Sequence, residues 1–318
     1  MDLNKNQDPK IAYLGSSFYS GKILEELFSA GLYFKAVVTA EPKRRARNTK
    51  AQPTEVEKVA RKFNTEVFYQ PEDLLALNLD FGLVVAYGKI LKADLLEKLP
   101  MLNVHFSLLP KLRGAAPVER AILNGETITG VCLMQITSEL DAGPVYCCVQ
   151  VEVKKDDTKE TLYTKLSDLA VKIILKEFKK GFNRGGPIGL GFPMEQKGDP
   201  TYAKKITKED LFINFNNSAE TIMRQVRLGG AFFYLNGRLV KLNKATVVTQ
   251  ESLDDLPCGK AVLISNDVFV KCGFGSVLKL IEVTPEGSKP QDIKQFLAGL
   301  RTKSFYIDNE IPTKRNVS

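Results

Sequence analysis

"FGLVVAYG", residues 81–88, is a continuous apolar run closed by a glycine. Runs of this kind, without polar alternation, belong to strands buried on both faces of a parallel sheet. Its neighbours extend the reading. "KIAYLG" (10–15), "YFKAVVT" (33–39), "LNVHFS" (102–107), "ITGVCLMQI" (128–136) and "VYCCVQVEV" (145–153) read as further strands. Between them lie helical patterns: "GKILEELFSAG" (21–31), "TEVEKVARKF" (54–63) with Thr54 as N-cap, "ADLLEKL" (93–99) and "APVERAILNG" (116–125). A long amphipathic helix follows at 158–181. This alternation predicts an α/β domain with an open, mostly parallel sheet covered by helices.

The punctuation changes at "GFNRGGPIGLGFPMEQKGDP" (181–200), which holds six glycines and three prolines and reads as a linker. Beyond it a helix is expected at 218–228. Short strand patterns then follow, divided by turns at Asn236-Gly237, Asn266-Asp267 and Glu286-Gly287, with a terminal helix at 291–300. The expected organisation is a first domain over 1–183, a linker over 184–205 and a small C-terminal β-barrel over 206–318.

Composition narrows the class. The chain has 318 residues, 44% of them hydrophobic and 26% charged, which is ordinary for a globular protein. No apolar run approaches the roughly 20 residues needed to span a bilayer, and the polar start "MDLNKNQDPK" lacks a leader pattern. A cytoplasmic protein without membrane association is expected. The five cysteines form no C-x-x-C pair, and His105 is the only histidine. The reading is therefore reduced thiols and no metal site. Net charge is +8, and from residue 201 onward seventeen Lys/Arg stand against twelve Asp/Glu. That excess fits an anionic partner, nucleic acid before membrane, or else an inert basic surface.

Three stretches could carry chemistry. "GSSFYSGKI" (15–23) looks like a phosphate loop, but five residues separate its glycines where four are needed. Ile23 also stands where a magnesium-binding hydroxyl belongs, so nucleotide hydrolysis is excluded. "EPKRRARNTK" (41–50), in a loop after the second strand, reads either as a solvated loop or as a phosphate-contacting one. "NVHFSLLPKLRG" (103–114) places Asn103 and His105 two apart on a strand, so their side chains share a face. Asp141, in "ELDAGP", lies in a turn between two later strands. An amide, an imidazole and a carboxylate at a strand edge suit acyl-group transfer. Two donors can meet a developing oxyanion while the carboxylate orients the imidazole or helps move a proton. No serine or cysteine nucleophile is evident, which favours direct transfer.

"NVHFSLLPKLRGAAPVERAI" resembles the N-x-H-x-S-L-L-P-x-x-x-G signature of the folate-dependent formyltransferases. With "VVAYGKIL" before it and "ITGVCLMQITSELDAGPV" after it, the chain is most similar to the methionyl-tRNA branch. The resemblance covers about the first 180 residues well and extends more weakly through "TYAKKITKEDLFINF". It implies a Rossmann-like catalytic domain and a C-terminal barrel similar to an OB fold. It also implies transfer of the formyl group of 10-formyltetrahydrofolate to the α-amine of initiator methionyl-tRNA; a monomer without a metal is expected. Asn103, His105 and Asp141 match the catalytic trio. Ser107, Leu108, Leu109 and Pro110 match the folate-contacting turn, with a cis Leu109–Pro110 bond, and Ala86, Tyr87 and Gly88 would line the folate pocket. Arg44, Arg45, Arg47 and Lys50 fall in the family's tRNA-gripping insertion. Phe106 stands where the family usually has a small residue. The rivals are a formyltransferase acting on a sugar-nucleotide or other small amine, and a non-catalytic RNA-binding relative.

Overall fold

The computed structural model describes residues 9–44, 50–182, 184–250, 253–300, 304–308 and 310–311. The chain divides into two compact units. The first takes in Met1–Val118, Thr127–Val153 and Glu160–Lys204; the second takes in Glu119–Glu126, Lys154–Lys159 and Lys205–Ser318.

The first unit is built on seven strands: β1 (Ile11–Gly15), β2 (Ala36–Val38), β3 (Glu66–Phe68), β4 (Phe81–Val85), β5 (Met101–His105), β6 (Ile128–Gln135) and β7 (Val145–Glu152). Their order in the sheet is β3-β2-β1-β4-β5-β6-β7. The first five run parallel; β6 pairs antiparallel with β5, and β7 pairs antiparallel with β6. Every residue of β1 and β4 is buried, as their uninterrupted apolar sequences predict. The order turns back between β1 and β4, and at such a switch point the loops leaving the strand ends open a crevice.

Helices α1 (Phe18–Ser29), α2 (Glu55–Lys62), α3 (Ala93–Lys98), α4 (Pro117–Asn124) and α5 (Lys159–Lys179) fall within or close to the expected spans. Thr54 caps α2 as expected, its hydroxyl accepting from Glu57 N at 3.0 Å. Helix α1 begins three residues early because Ser17 caps it, accepting from Ser20 N at 3.0 Å. Strand β3 and a 3-10 turn at Pro71–Ala76 were not expected. Unlike the equally short β2, whose three residues are apolar and buried, β3 is exposed or half-buried and begins with a glutamate, so it leaves no apolar run.

The second unit is an antiparallel sheet of β8 (Phe232–Leu235), β9 (Arg238–Val248), β10 (Lys260–Ile264), β11 (Asp267–Lys271), β12 (Val277–Pro285), β13 (Gln291–Asp292) and β14 (Ser304–Tyr306). The order is β14-β10-β11-β12-β9-β8, with β13 on β12. Past β14, Asp308 N donates to Tyr234 O of β8 at 3.0 Å, so the sheet curls round into a nearly closed barrel. Phe215, Ile222, Phe233, Val268, Val270, Leu278 and Leu280 fill it. Helices α6 (Lys208–Leu211), α7 (Ala219–Leu228) and α8 (Ile293–Leu300) complete the unit. Asn236 and Gly237 both take positive φ, the geometry of a two-residue hairpin turn. The next hairpin turns on Ser265 and Asn266, one residue before the expected pair.

Two expectations differ from the structure. The stretch 184–205 has no helix or strand, yet up to Lys204 it belongs to the first unit. Met194 pairs with Val145, and Tyr202 with Arg113. Glycine and proline suppress regular structure there without freeing the chain. The cysteines are not all reduced: Cys132 and Cys148 are disulfide-bonded, while Cys147, Cys258 and Cys272 are free. The reason is register, because Cys132 of β6 lies directly opposite Cys148 of β7. Spacing along the chain cannot show that. Among the described residues, no helix is long and apolar enough to cross a membrane.

Candidate active site

Three segments of the first unit converge at the carboxyl edge of β5. Asn103 and His105 come from the strand itself. "SLLPKLRG" follows as a turn with a cis Leu109–Pro110 bond, and Asp141 arrives in the loop joining β6 to β7. Asn103 Nδ2 lies 3.5 Å from Asp141 Oδ1, and His105 Nδ1 lies 3.7 Å from Asp141 Oδ2. These are open contacts, of the kind that tighten only when a substrate is bound.

Stronger bonds fix the imidazole and the carboxylate from behind. His105 Nε2 is 2.9 Å from Leu112 O. A carbonyl cannot donate, so Nε2 carries the proton and Nδ1 faces Asp141. The imidazole is buried, at 4% exposure. Burial lowers its pKa from the ordinary histidine value, and this outweighs Asp141 and the Leu112 carbonyl, which act in the opposite sense. The free ring is therefore neutral at pH 7. Asp141 Oδ2 accepts from Gly114 N at 2.8 Å. Gly114 has φ of +120°, and a Cβ there would lie 2.9 Å from Ala203 O, so only glycine can present this amide to Asp141.

Among the other expected residues, Ser107 is fully buried and donates to Lys111 O, which closes the turn. Leu108, Leu109 and Pro110 are half-buried. Ala86 and Gly88 adopt positive φ after β4. Tyr87 between them turns inward, 4% exposed, into the core cluster of Leu14, Val38 and Leu74, where its hydroxyl has no hydrogen-bond partner among the described residues. Because β4 and β5 are neighbours, the 86–88 and 106–110 loops leave adjacent strand ends. Arg44 and Lys50 are exposed, and Arg45 and Arg47 lie outside the described residues. Lys43 and Gln52 form an antiparallel bridge at the base of that loop.

Phe106 is accounted for by packing. It follows His105 and is 5% exposed. Its ring meets Tyr163 edge-on at 6.0 Å between centroids, and Tyr163 stacks on Tyr19 at 4.5 Å. It belongs to an aromatic column joining β5 to α1 and α5 rather than to the group around Asp141.

Sequence reasoning missed Leu112, Arg113, Gly114 and Gln196 as parts of the site. Leu112 and Gly114 act through backbone groups, which leave no mark in a sequence beyond the glycine itself. Arg113 and Gln196 are 83 residues apart and meet only in space.

Comparison with known proteins shows the family. The formyl transferase family model matches residues 10–177, and the model of the formyl transferase C-terminal domain matches residues 205–301. The methionyl-tRNA formyltransferase of Pelagibacter ubique is 34% identical over 305 residues, covering 91% of this chain and 95% of that protein. That of Sulfurihydrogenibium sp. is 36% identical, covering 93% and 98%. HypX from Aquifex aeolicus, solved in complex with tetrahydrofolic acid, superposes with a TM-score of 0.62 at 18% identity, covering 92% of this chain and 47% of that one. The methionyl-tRNA formyltransferase from Clostridium thermocellum gives 0.55 at 15%, covering 75% and 93%. These two carry the fold alone. Full-length identity above 30% and both domain matches carry more: the chain belongs to the methionyl-tRNA formyltransferase family.

Proposed function

We propose that this chain transfers the formyl group of 10-formyltetrahydrofolate to the α-amino group of methionine on initiator methionyl-tRNA, the step that prepares it for translation initiation. The observation that carries the reading is the convergence of Asn103, His105 and Asp141 at one strand edge, with His105 and Asp141 each held by a bond from outside the trio.

The residues present fit a folate. Gly88 has φ of +78° with nothing within 4 Å of where a Cβ would stand, so the chain after β4 offers bare backbone to a flat ring. Leu108 and Leu109 add half-buried apolar surface on the adjacent strand end. Bound there, 10-formyltetrahydrofolate supplies the activated formyl carbon. Asn103 Nδ2 donates to the formyl oxygen as the amine attacks and charge builds on it, a role worth about 3 kcal/mol for one such donor. With Nε2–H committed to Leu112 O, His105 exchanges protons only through Nδ1, the nitrogen beside Asp141. A proton received there makes Nδ1 a second donor to the oxyanion, and the nearby carboxylate stabilises the imidazolium. That proton leaves the amine and is returned, directly or through Asp141 and water, to the departing folate nitrogen. No covalent enzyme intermediate is required. Arg44, Arg45, Arg47 and Lys50 would meet acceptor-stem phosphates as sequence-independent contacts.

The test is incubation with 10-formyltetrahydrofolate, methionyl-tRNA and a competing sugar-nucleotide amine. Formylated methionyl-tRNA is expected; formylation of the sugar alone overturns the reading.

A further inference from the structure

Gln196 lies in the glycine- and proline-rich stretch that closes the first unit, 55 residues from Asp141. Its amide uses all four of its hydrogen-bonding positions. Arg113 Nε and Nη2 donate to its Oε1 at 3.0 and 2.7 Å. Its Nε2 donates to Asp141 O and to Gly143 O, both at 2.8 Å. The orientation is unambiguous, because a guanidinium can only donate and a carbonyl can only accept. Asp141 itself has φ of +49°, in the left-handed region that aspartate tolerates better than most residues. Among the described residues, the hydrogen bonds of Gln196 go to Arg113, Asp141 and Gly143, not to Asn103 or His105. What it holds is the backbone that aims Asp141.

Gln196 is also held firmly. Arg113 is buried at 9% exposure. Its backbone is stitched to the same stretch, with Arg113 N donating to Thr201 O at 2.8 Å and Ala203 N donating to Arg113 O at 2.7 Å. Leu112 N donates to Thr201 Oγ1 at 2.9 Å, next to the carbonyl that fixes the His105 tautomer. On the other side, Met194 and Val145 exchange backbone bonds at 2.7 and 2.9 Å. Residues 194–203 thus bind together the loop after β5 and the loop after β6, the two that must meet for the site to exist.

We propose that Gln196 is a positioning residue for Asp141. Its amide, set by Arg113, fixes the Asp141–Gly143 turn and so keeps the carboxylate within reach of Asn103 and His105. This rests on the reading that Asp141 works with those two residues in formyl transfer.

The test uses the full chain and measures kcat and KM for folate and methionyl-tRNA in Q196M, Q196E, D141N and Q196M/D141N. Q196M removes all four bonds at similar volume. Q196E keeps the size and the attraction to Arg113 but cannot donate to the two loop carbonyls. Both are expected to lose about tenfold or more in kcat, since misplacing a reacting group by about 1 Å costs up to ~100-fold, with each KM within about twofold of the parent. The double variant is expected to be no slower than D141N, because a carboxylate already neutralised cannot be misaimed. Q196E at parental kcat would mean that only the Arg113 anchor matters, and would overturn the proposal. A Q196M loss that multiplies with that of D141N would overturn it equally. If Q196M fails to fold, Q196E alone decides. If D141N is fully active, the reading of the trio falls and takes this one with it; if D141N is impaired and Q196E is not, only the role of Gln196 falls.

Discussion

The Nε2–H of His105 donates to the carbonyl of Leu112 at 2.9 Å, and that bond decides which face of the imidazole can do chemistry. Leu112 lies seven residues further on, past the cis-proline turn, at φ of +59°. The turn that follows β5 therefore folds back to hold the histidine at its end, and Nδ1 is the nitrogen left for Asp141 and substrate.

Burial of the same ring gives a pH prediction. The folded pKa lies below the unfolded value of about 6.5. Below that pH the unfolded chain takes up a proton that the folded chain resists. Stability is therefore full above about 6.5 and declines as pH falls toward the depressed folded value, by at most ~1.4 kcal/mol per unit. Urea unfolding at pH 7.5 and 5.5 should show this component in the parent and not in His105→Asn. Parallel behaviour of the two proteins would contradict it.

Asn103→Ala should lower kcat by about 100- to 1,000-fold, the usual cost of one oxyanion donor. Folate affinity should change little, because Asn103 is assigned to the reacting oxygen. Single-turnover formylation measures it, and a rate near that of the parent removes Asn103 from the mechanism.

Gly114→Ala should cost both stability and rate. Its φ of +120° and the 2.9 Å approach of the new Cβ to Ala203 O force the backbone to shift. Strain of this kind costs about 1–3 kcal/mol, and the amide that holds Asp141 moves with it. A thermal midpoint unchanged from the parent would show that the loop adapts freely.

Phe106→Ala should destabilise by about 3–5 kcal/mol, as for other buried aromatic truncations. The ring packs on Tyr163 rather than toward Asp141, so folate-induced thermal stabilisation should persist in whatever fraction folds. Loss of folate binding with stability intact would place Phe106 in the pocket.

Alkylation of the unfolded chain without reductant should label Cys147, Cys258 and Cys272 only, and all five cysteines after reduction. Peptide mass mapping reads this directly; five labels without reductant would mean that the Cys132–Cys148 bond is not formed in the isolated protein.

The architecture was legible because its signals are local. "FGLVVAYG" reads as a strand buried on both faces and "KIAYLG" as a further strand, and the Asn236-Gly237 pair between apolar runs reads as a turn. Asn103 and His105 were legible together because a strand places residues two apart on one face. Asp141 was suspected from its turn, but nothing in the sequence brings a residue 38 positions away to within 3.5 Å of Asn103. Register did that, through the antiparallel pairing of β5 with β6 and of β6 with β7. The same register joined Cys132 to Cys148. Composition made 184–205 a linker, because glycine and proline report only what the backbone cannot form; they say nothing of what it can bind. The sequence by itself determined the elements and the chemical groups. Tertiary structure alone decided which nitrogen of His105 faces Asp141 and what holds Asp141 in place, because those depend on backbone carbonyls and amides that every residue carries and no sequence pattern distinguishes.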